Sequence, residues 1–202
     1  NTIVIKAALP TPRSALRIAE LYKEAGLPDG VLNVITCGSE EAEMMVTHPD
    51  VKGVSFVGST KVGRHVYATA AGAGKRVQAL CQAKNHALVL RDAPIKRTAA
   101  GIRNASFGCA GERCMALPVV VVEEEIADEL VAELVRLARE IKVGPAYEKD
   151  TGMGPVINEK HRQSVLNWIQ KGIDEGATVA LDGRGCKVEG YPNGFYVGPT
   201  IL

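Results

Sequence analysis

The sequence is poor in aromatic residues and has no long apolar run. Phe, Trp and Tyr make up 4% of the 202 residues, so the 46% of hydrophobic residues are mainly aliphatic, as in many α/β proteins. No apolar stretch approaches the ~18 residues that a membrane-spanning helix requires. The opening residues NTIVIK also lack the charged lead and the cleavage site of a signal peptide. We therefore expect no membrane association and a cytoplasmic location, or the mitochondrial matrix if the source is eukaryotic.

An excess of one charge sign is also absent. Lys and Arg number 24 and Asp and Glu number 23, so the formal net charge is +1, and both signs are interspersed. A nucleic-acid-binding surface needs a broad positive field, and this sequence does not create one. We expect no nucleic-acid partner and predict a small-molecule ligand.

No two cysteines form a Cys-x-x-Cys pair. The five cysteines are Cys37, Cys81, Cys109, Cys114 and Cys186. Their odd number argues against a disulfide framework, and neither they nor the four histidines show the spacing of metal ligands. We expect free thiols in a reducing compartment and no metal site.

Short apolar segments alternate with helical patterns in the first part of the chain. Strands are predicted at residues 2–6, 31–35, 51–57 and 76–80, and helices begin near residues 12, 39 and 59. Repeated strand–helix–strand units predict a parallel sheet with crossover helices, which is an α/β fold.

A second part begins near Lys84. It is predicted to contain strands at 87–90 and 119–122, a helix at 95–107, a glycine-broken loop at 108–111 and a helix at about 158–175. Apolar residues spaced by three and four between Ile126 and Ile141 predict a further amphipathic helix. Strands are predicted at 178–181 and 195–202. Both chain ends fall in apolar strands, and unpaired apolar strands invite association, so we expect a fragment truncated at both ends.

Cys114 has the local setting of a nucleophile. It lies in a glycine-flanked loop beside Arg113, whose fixed cation favours a thiolate. The same composition also suits a buried, inert thiol, and that alternative stays open at this level. The other four cysteines have no comparable neighbours.

A second candidate site lies where a predicted strand ends in FVGS at residues 56–59 and a helix begins. Free amide groups and the positive end of the helix dipole can bind a phosphate there, and glycine permits close backbone approach. Gly-Ser before a helix is also typical of an ordinary cap. Lys6 ends the first strand, at a sheet edge that often hosts ligands, although a lysine there can simply be solvated.

Five short runs follow one another along the chain: NTIVIK at 1–6, LPDGVLNV at 27–34, FVGS at 56–59, GERC at 111–114 and GPT at 198–200. In their order and spacing, these runs resemble the aldehyde dehydrogenase family along essentially the whole chain. Within that superfamily, KRVQ at 75–78, AKNH at 83–86 and GERCMA at 111–116 resemble the methylmalonate-semialdehyde dehydrogenase branch.

The resemblance implies both a domain division and residue roles. Residues 1–82 would be the later half of a Rossmann-like NAD-binding domain, and residues 83–202 the first half of an α/β catalytic domain. Cys114 would be the nucleophile, and Arg113 would grip the substrate's carboxylate through two parallel hydrogen bonds. The implied cofactor-binding residues are Lys6 at the adenosine ribose, Gly58, Ser59 and Gly63 at the pyrophosphate, and Cys81 beside the nicotinamide. The full-length parent would be a homo-oligomer.

The implied reaction is the NAD-dependent oxidation of methylmalonate or malonate semialdehyde through a thioester on Cys114. Most relatives release the thioester with water that a glutamate activates, but the aligned residue is Leu80, which cannot accept a proton. Coenzyme A is then the expected acceptor, and the products would be propionyl-CoA or acetyl-CoA and carbon dioxide.

Some residues depart from the family pattern. Ala7, Ala8 and Leu9 replace the usual Pro-Ser-Glu, whose glutamate helps to bind the ribose, and Gln82 replaces a glycine near the nicotinamide, where it could crowd the ring. The family's oxyanion-donating asparagine would precede residue 1, and a ribose-binding glutamate and an oligomerisation strand would follow residue 202. Loss of an oxyanion donor costs ~3 kcal/mol, so we expect the fragment alone to be nearly inactive.

Two other functions stay open. The first is a non-catalytic or degenerate domain of the same fold that acts by association, which Leu9 and Gln82 favour. The second is a thiol-redox protein using Cys109 and Cys114, although their spacing matches no recognised redox motif.

Overall fold

The computed structural model describes all residues 1–202 and contains six β-strands and six α-helices. The elements are β1 (Ile3–Ala7), α1 (Arg13–Glu24), β2 (Leu32–Thr36), α2 (Ser39–Thr47), β3 (Gly53–Val57), α3 (Thr60–Gly72), β4 (Arg76–Leu80), β5 (His86–Val89), α4 (Ile95–Phe107), β6 (Val119–Val122), α5 (Glu124–Arg139) and α6 (Glu159–Asp174). A 3₁₀ turn, Gly108–Gly111, follows α4. The chain forms two compact units, Asn1–Gln82 and Ala83–Leu202.

The first unit, Asn1–Gln82, is built from parallel strand–helix–strand units. β1 pairs with β2 across α1, and β3 pairs with β4 across α3, both in parallel register. This arrangement confirms the predicted α/β fold with crossover helices.

The prediction of one parallel sheet is wrong for this unit, because the four strands form two separate two-stranded sheets. β1 and β3 each pair along one edge only, and the connection through α2 leaves the strands of the two sheets without mutual hydrogen bonds. An alternating sequence pattern indicates which segments are strands, but it does not indicate which strands are neighbours.

The first unit buries little apolar surface. Ala7, Val66 and Ala70 are its buried apolar side chains. In contrast, Ile3 and Val4 of β1 are 57% and 51% exposed. Much of the apolar surface of β1 is therefore not covered by other residues of this chain.

The second unit has a larger apolar core. β5 and β6 pair in parallel across α4, and α5 packs against α4. The core cluster contains Val89, Ala99, Ile102, Leu130 and Leu134. The apolar spacing of three and four along α5 predicted this buried face, which Leu130, Leu134 and Ala138 provide.

The two predicted strands at 178–181 and 195–202 are wrong. Only an isolated antiparallel bridge between Leu181 and Ile201 forms there. The amide of Gly183 bonds to Thr200 Oγ1 at 3.1 Å, and its carbonyl accepts from Gly198 at 2.9 Å. These irregular bonds replace the regular ladder of a strand pair.

The helices fall short of membrane-spanning dimensions. None of them has the length and the apolar character that crossing a lipid bilayer demands.

Candidate functional site

The first turn of α3 brings together most of the predicted cofactor residues of the first unit. Ser59 caps the helix, and its Oγ accepts from the amide of Val62 at 3.4 Å. The amide of Gly58 donates to the carbonyl of Leu80 at 3.1 Å, which ties the end of β3 to the end of β4. The capping reading of Ser59 is therefore correct, and it does not exclude a phosphate at the same helix end.

Side chains lie against positions 58 and 63, where any Cβ would force them to shift. A Cβ on Gly58 would come within 2.6 Å of the Phe56 ring, and a Cβ on Gly63 would clash with Cys81 Sγ. Gly63 is buried and Cys81 is half-buried beside it. The close packing of β3, β4 and α3 at this point depends on these two glycines.

Gln82 reaches the same helix end. Its Oε1 accepts from the amide of Thr60, the first residue of α3, at 3.4 Å. Crowding of the nicotinamide by Gln82 stays a prediction from the sequence, and the structure shows that Gln82 forms a second cap on α3. No local sequence signal indicates this contact, because the two residues are 22 positions apart.

Lys6 lies apart from this group. It is exposed in β1, opposite Ile35 of β2, and therefore belongs to the other two-stranded sheet. The strand ends at Ala7 and not at Lys6. The side chain of Lys6 forms no salt bridge or hydrogen bond, which agrees with a solvated lysine.

Cys114 is exposed, in the segment between the 3₁₀ turn and β6. These 202 residues therefore do not bury the thiol, in contrast to the buried alternative that the sequence left open. Cys109 is also exposed, whereas Cys37, Cys81 and Cys186 are half-buried. Burial raises the pKa of the Cys186 thiol, which makes it a poorer nucleophile at neutral pH.

The turn that precedes Cys114 has unusual backbone geometry. Cys109 and Ala110 have φ angles of 52° and 53°, in the left-handed region that residues with a Cβ seldom occupy. Such a conformation costs free energy and persists only where the surroundings impose it. The sequence predicted a glycine-broken loop here, but not left-handed residues between its glycines.

Arg113 is folded back onto α4. Its Nη2 donates to the carbonyl of Asn104 at 2.7 Å, at the carboxyl end of the helix, where a cation is favourable. The guanidinium lies so close to Gly108 that a Cβ there would force Arg113 to move. The predicted substrate residue thus has a structural partner, and its remaining N–H donors could meet a carboxylate.

Two further side chains hold this loop, and although the motifs AKNH and GERC contain them, the sequence assigned neither a role. Asn85 donates from Nδ2 to the carbonyls of Cys114 and Ala116 at 3.0 and 2.7 Å. Glu112 accepts from the amide of Ile157 and lies 3.2 Å from His161 Nε2. Both contacts are long-range, so local composition could not reveal them.

Metal-ligating side chains do not cluster in the structure. No group of three or more His, Cys, Asp or Glu residues is arranged to hold an ion.

Comparisons with known proteins match this chain over its whole length. The family model described as "Aldehyde dehydrogenase family" matches residues 1–202. Malonate-semialdehyde dehydrogenase 1 of Geobacillus thermodenitrificans is 52% identical over 203 residues, which cover 100% of this chain and 42% of that protein. The corresponding protein of Oceanobacillus iheyensis is 48% identical, with 100% and 41% covered.

Solved structures agree with these matches. Methylmalonate-semialdehyde dehydrogenase from Oceanimonas doudoroffii has a TM-score of 0.94 and 43% identity over 99% of this chain and 41% of its own. A variant of aldehyde dehydrogenase C from Pseudomonas syringae, solved with NAD⁺ and octanal, has a TM-score of 0.89 and 32% identity over 98% and 41%. The chain spans about two fifths of the length of the curated relatives it matches.

Proposed function

The chain belongs to the aldehyde dehydrogenase family, and from that premise we propose that it supplies the nucleophile and part of the cofactor site for NAD-dependent oxidation of a carboxylated semialdehyde. The proposed substrates are malonate and methylmalonate semialdehyde, after the names of the relatives. The observation that carries the proposal is the exposed Cys114, set in a loop with a fixed backbone and within a chain that matches the family throughout.

We assign residues 1–82 to the later half of a Rossmann-like NAD-binding domain and residues 83–202 to the first half of the catalytic domain. The start of α3 suits the pyrophosphate of NAD, since it combines the positive end of a helix dipole with glycines at positions 58 and 63, which let the backbone approach closely. Lys6, Gly58, Ser59, Gly63 and Cys81 are the proposed cofactor residues. Bound NAD⁺ would supply the hydride acceptor.

Cys114 is proposed to add as a thiolate to the aldehyde carbon. Loss of a hydride from that carbon then leaves a thioester on Cys114. Arg113 is proposed to hold the substrate's carboxylate, either with the donors that Asn104 does not use or after release from α4.

Coenzyme A is the proposed acceptor of the acyl group. The substrate's carboxylate leaves as carbon dioxide, and the electrons of the broken C–C bond form the enolate of the thioester, which takes up a proton from water. The thiolate of coenzyme A then displaces the Cys114 thiolate and gives an acyl-CoA. Leu80 supports this step, because it stands where most relatives have a water-activating glutamate and cannot accept a proton. The 202 residues alone are proposed to be nearly inactive, and the full-length parent to be a homo-oligomer.

Cysteine labelling tests the role of Cys114. The chain is treated with less than one equivalent of iodoacetamide, and the labelled cysteines are counted by mass spectrometry. We expect Cys114 to be labelled faster than the other four cysteines, with half-buried Cys186 among the slowest. Labelling of Cys114 no faster than that of exposed Cys109 would refute the assignment.

A hybrid enzyme tests the reaction. Residues 1–202 replace the matching segment of the Geobacillus thermodenitrificans relative, and NADH formation from malonate semialdehyde is followed with and without coenzyme A. We expect turnover that requires coenzyme A and disappears in Cys114→Ala. Turnover that is independent of coenzyme A would contradict the argument from Leu80.

A non-catalytic role in association is the second candidate function. Two observations favour this role. β1 and β3 each have an unpaired edge, and Gln82 already accepts a hydrogen bond from the first amide of α3. A hybrid that folds but fails to bind NAD⁺ would support this second candidate over the first.

A further inference from the structure

Two side chains from outside the Cys114 loop hold its main chain: Ser106 Oγ donates to the carbonyl of Leu117 at 2.6 Å, at the end of the loop, and Asn85 holds the part around Cys114. Asn85 lies half-buried immediately before β5 and donates to the carbonyl oxygens of Cys114 and Ala116. Because both partners are carbonyl oxygens, the amide nitrogen must face them, and both of its hydrogens are used. Asn85 therefore fixes the main chain on either side of Met115.

The loop has little other regular support. Within it, the amide of Ala116 donates to the carbonyl of Arg113 at 2.9 Å, and the amide of Leu117 reaches Ala105 at 3.2 Å. No strand or α-helix includes residues 112–118. The carbonyl of Cys114 thus depends on Asn85 for its partner.

We propose that Asn85 is a positioning residue that sets the place of Cys114 by holding its main chain. The inference rests on the proposed role of Cys114 as the nucleophile. A nucleophile must approach the carbonyl carbon within a narrow range of distance and angle, and a displacement of about 1 Å can cost about 100-fold in rate. Asn85 acts on the reaction only through the backbone of Cys114.

Two substitutions of Asn85 separate the loss of its N–H donors from added electrostatic repulsion. Asn85→Asp keeps the shape but replaces the two N–H donors with a carboxylate oxygen that faces two carbonyl oxygens. Asn85→Ala removes the donors without adding repulsion. Asn33→Asp is a matched control in the other unit, because Asn33 Nδ2 also donates to two carbonyls, those of Gly30 at 2.9 Å and Ile3 at 3.3 Å.

Limited trypsin digestion tests whether Asn85 holds the loop, since the Arg113–Cys114 bond is a tryptic site within it. We expect both Asn85 variants to be cut there about tenfold faster or more than the unaltered chain, because cleavage requires local opening and two hydrogen bonds are lost. Cleavage after Arg184 should keep its rate. Asn33→Asp should leave cleavage after Arg113 unchanged.

Two outcomes of the digestion would overturn the inference. An unchanged rate at Arg113 would show that Asn85 does not hold the loop. Equal acceleration at Arg113 and Arg184 would show a general loss of stability instead of a local effect.

Turnover of the hybrid enzyme tests positioning itself. Asn85→Ala should lower kcat about tenfold or more while KM for NAD⁺ stays within about twofold, because the variant displaces the nucleophile without touching the cofactor site. Unchanged kcat would refute a positioning role even if the loop loosens. A hybrid without turnover when Asn85 is intact would overturn the proposed function, and the digestion rates would still decide whether Asn85 holds the loop.

Discussion

Removal of the Gln82 side chain should strengthen NAD⁺ binding, if NAD⁺ binds at the start of α3. In the structure, Gln82 Oε1 accepts from the Thr60 amide at 3.4 Å, so the side chain satisfies a donor that a pyrophosphate oxygen would use. A bound phosphate must displace it. Gln82→Ala removes this competitor.

The expected change in the Kd for NAD⁺ follows from the strength of the hydrogen bond between the Thr60 amide and Gln82 Oε1. A neutral hydrogen bond contributes about 0.5–1.5 kcal/mol net, and this one is longer than the usual N–H···O distance of about 2.9 Å. We therefore take about 0.5–1 kcal/mol, which lowers Kd about two- to fivefold. Gln82→Glu should act in the opposite direction, because a carboxylate at the helix end is a stronger cap and repels phosphate.

Isothermal titration of the 202-residue chain and its variants with NAD⁺ measures this change. Gln78→Ala is the control, because Gln78 is an exposed glutamine of β4 without a bond to α3. An equal or weaker affinity of Gln82→Ala relative to the unaltered chain would refute the competition. Tighter binding by Gln82→Glu would refute the electrostatic part of the argument.

Three further predictions concern the fold and its charges. Leu130→Ala should lower the free energy of unfolding by about 3 kcal/mol in urea titrations, because Leu130 is 2% exposed in the core of the second unit. Gly63→Ala should destabilise the first unit by about 1–3 kcal/mol through its clash with Cys81, and Cys81→Ala in the same chain should restore part of the loss. Asp182 should titrate near pH 2, because hydrogen bonds from Arg184 lower its pKa to about 2, and Arg184→Gln should return it towards 3.8 in a carboxyl-carbon NMR titration. Since that pKa lies below its ordinary value, the contribution of Asp182 to stability is present above about pH 4 and disappears as pH falls towards 2.

The sequence was informative where a pattern is local. The sequence correctly predicted α4 at Ile95–Phe107, and the run of valines correctly predicted β6 as Val119–Val122. In contrast, residues 178–181 and 195–202 have apolar strand-like patterns but form only a bridge, because the pairing of strands depends on distant partners. The separation of β1–β2 from β3–β4 was not predictable for the same reason.

In the candidate site, too, local sequence patterns were informative and contacts between distant residues were not predictable. The motif around Cys114 identified the residue, but its exposure could not be read from a sequence that also suits a buried thiol. The partners of the loop were not predictable, because Asn85 lies 29 positions before Cys114 and Glu112 lies 45 before Ile157. Sequence motifs indicate reactive side chains more readily than the polar side chains that hold them.

The pairing of β1 with β2 and of β3 with β4 has a consequence for how the chain forms its structure. Each parallel pair joins strands separated by a single helix, so its contacts close short loops and cost little chain entropy. During synthesis, the first pair can form once residue 36 has left the ribosome, before the second pair has emerged from it. Native-state hydrogen exchange should accordingly find that the two pairs open as separate cooperative units.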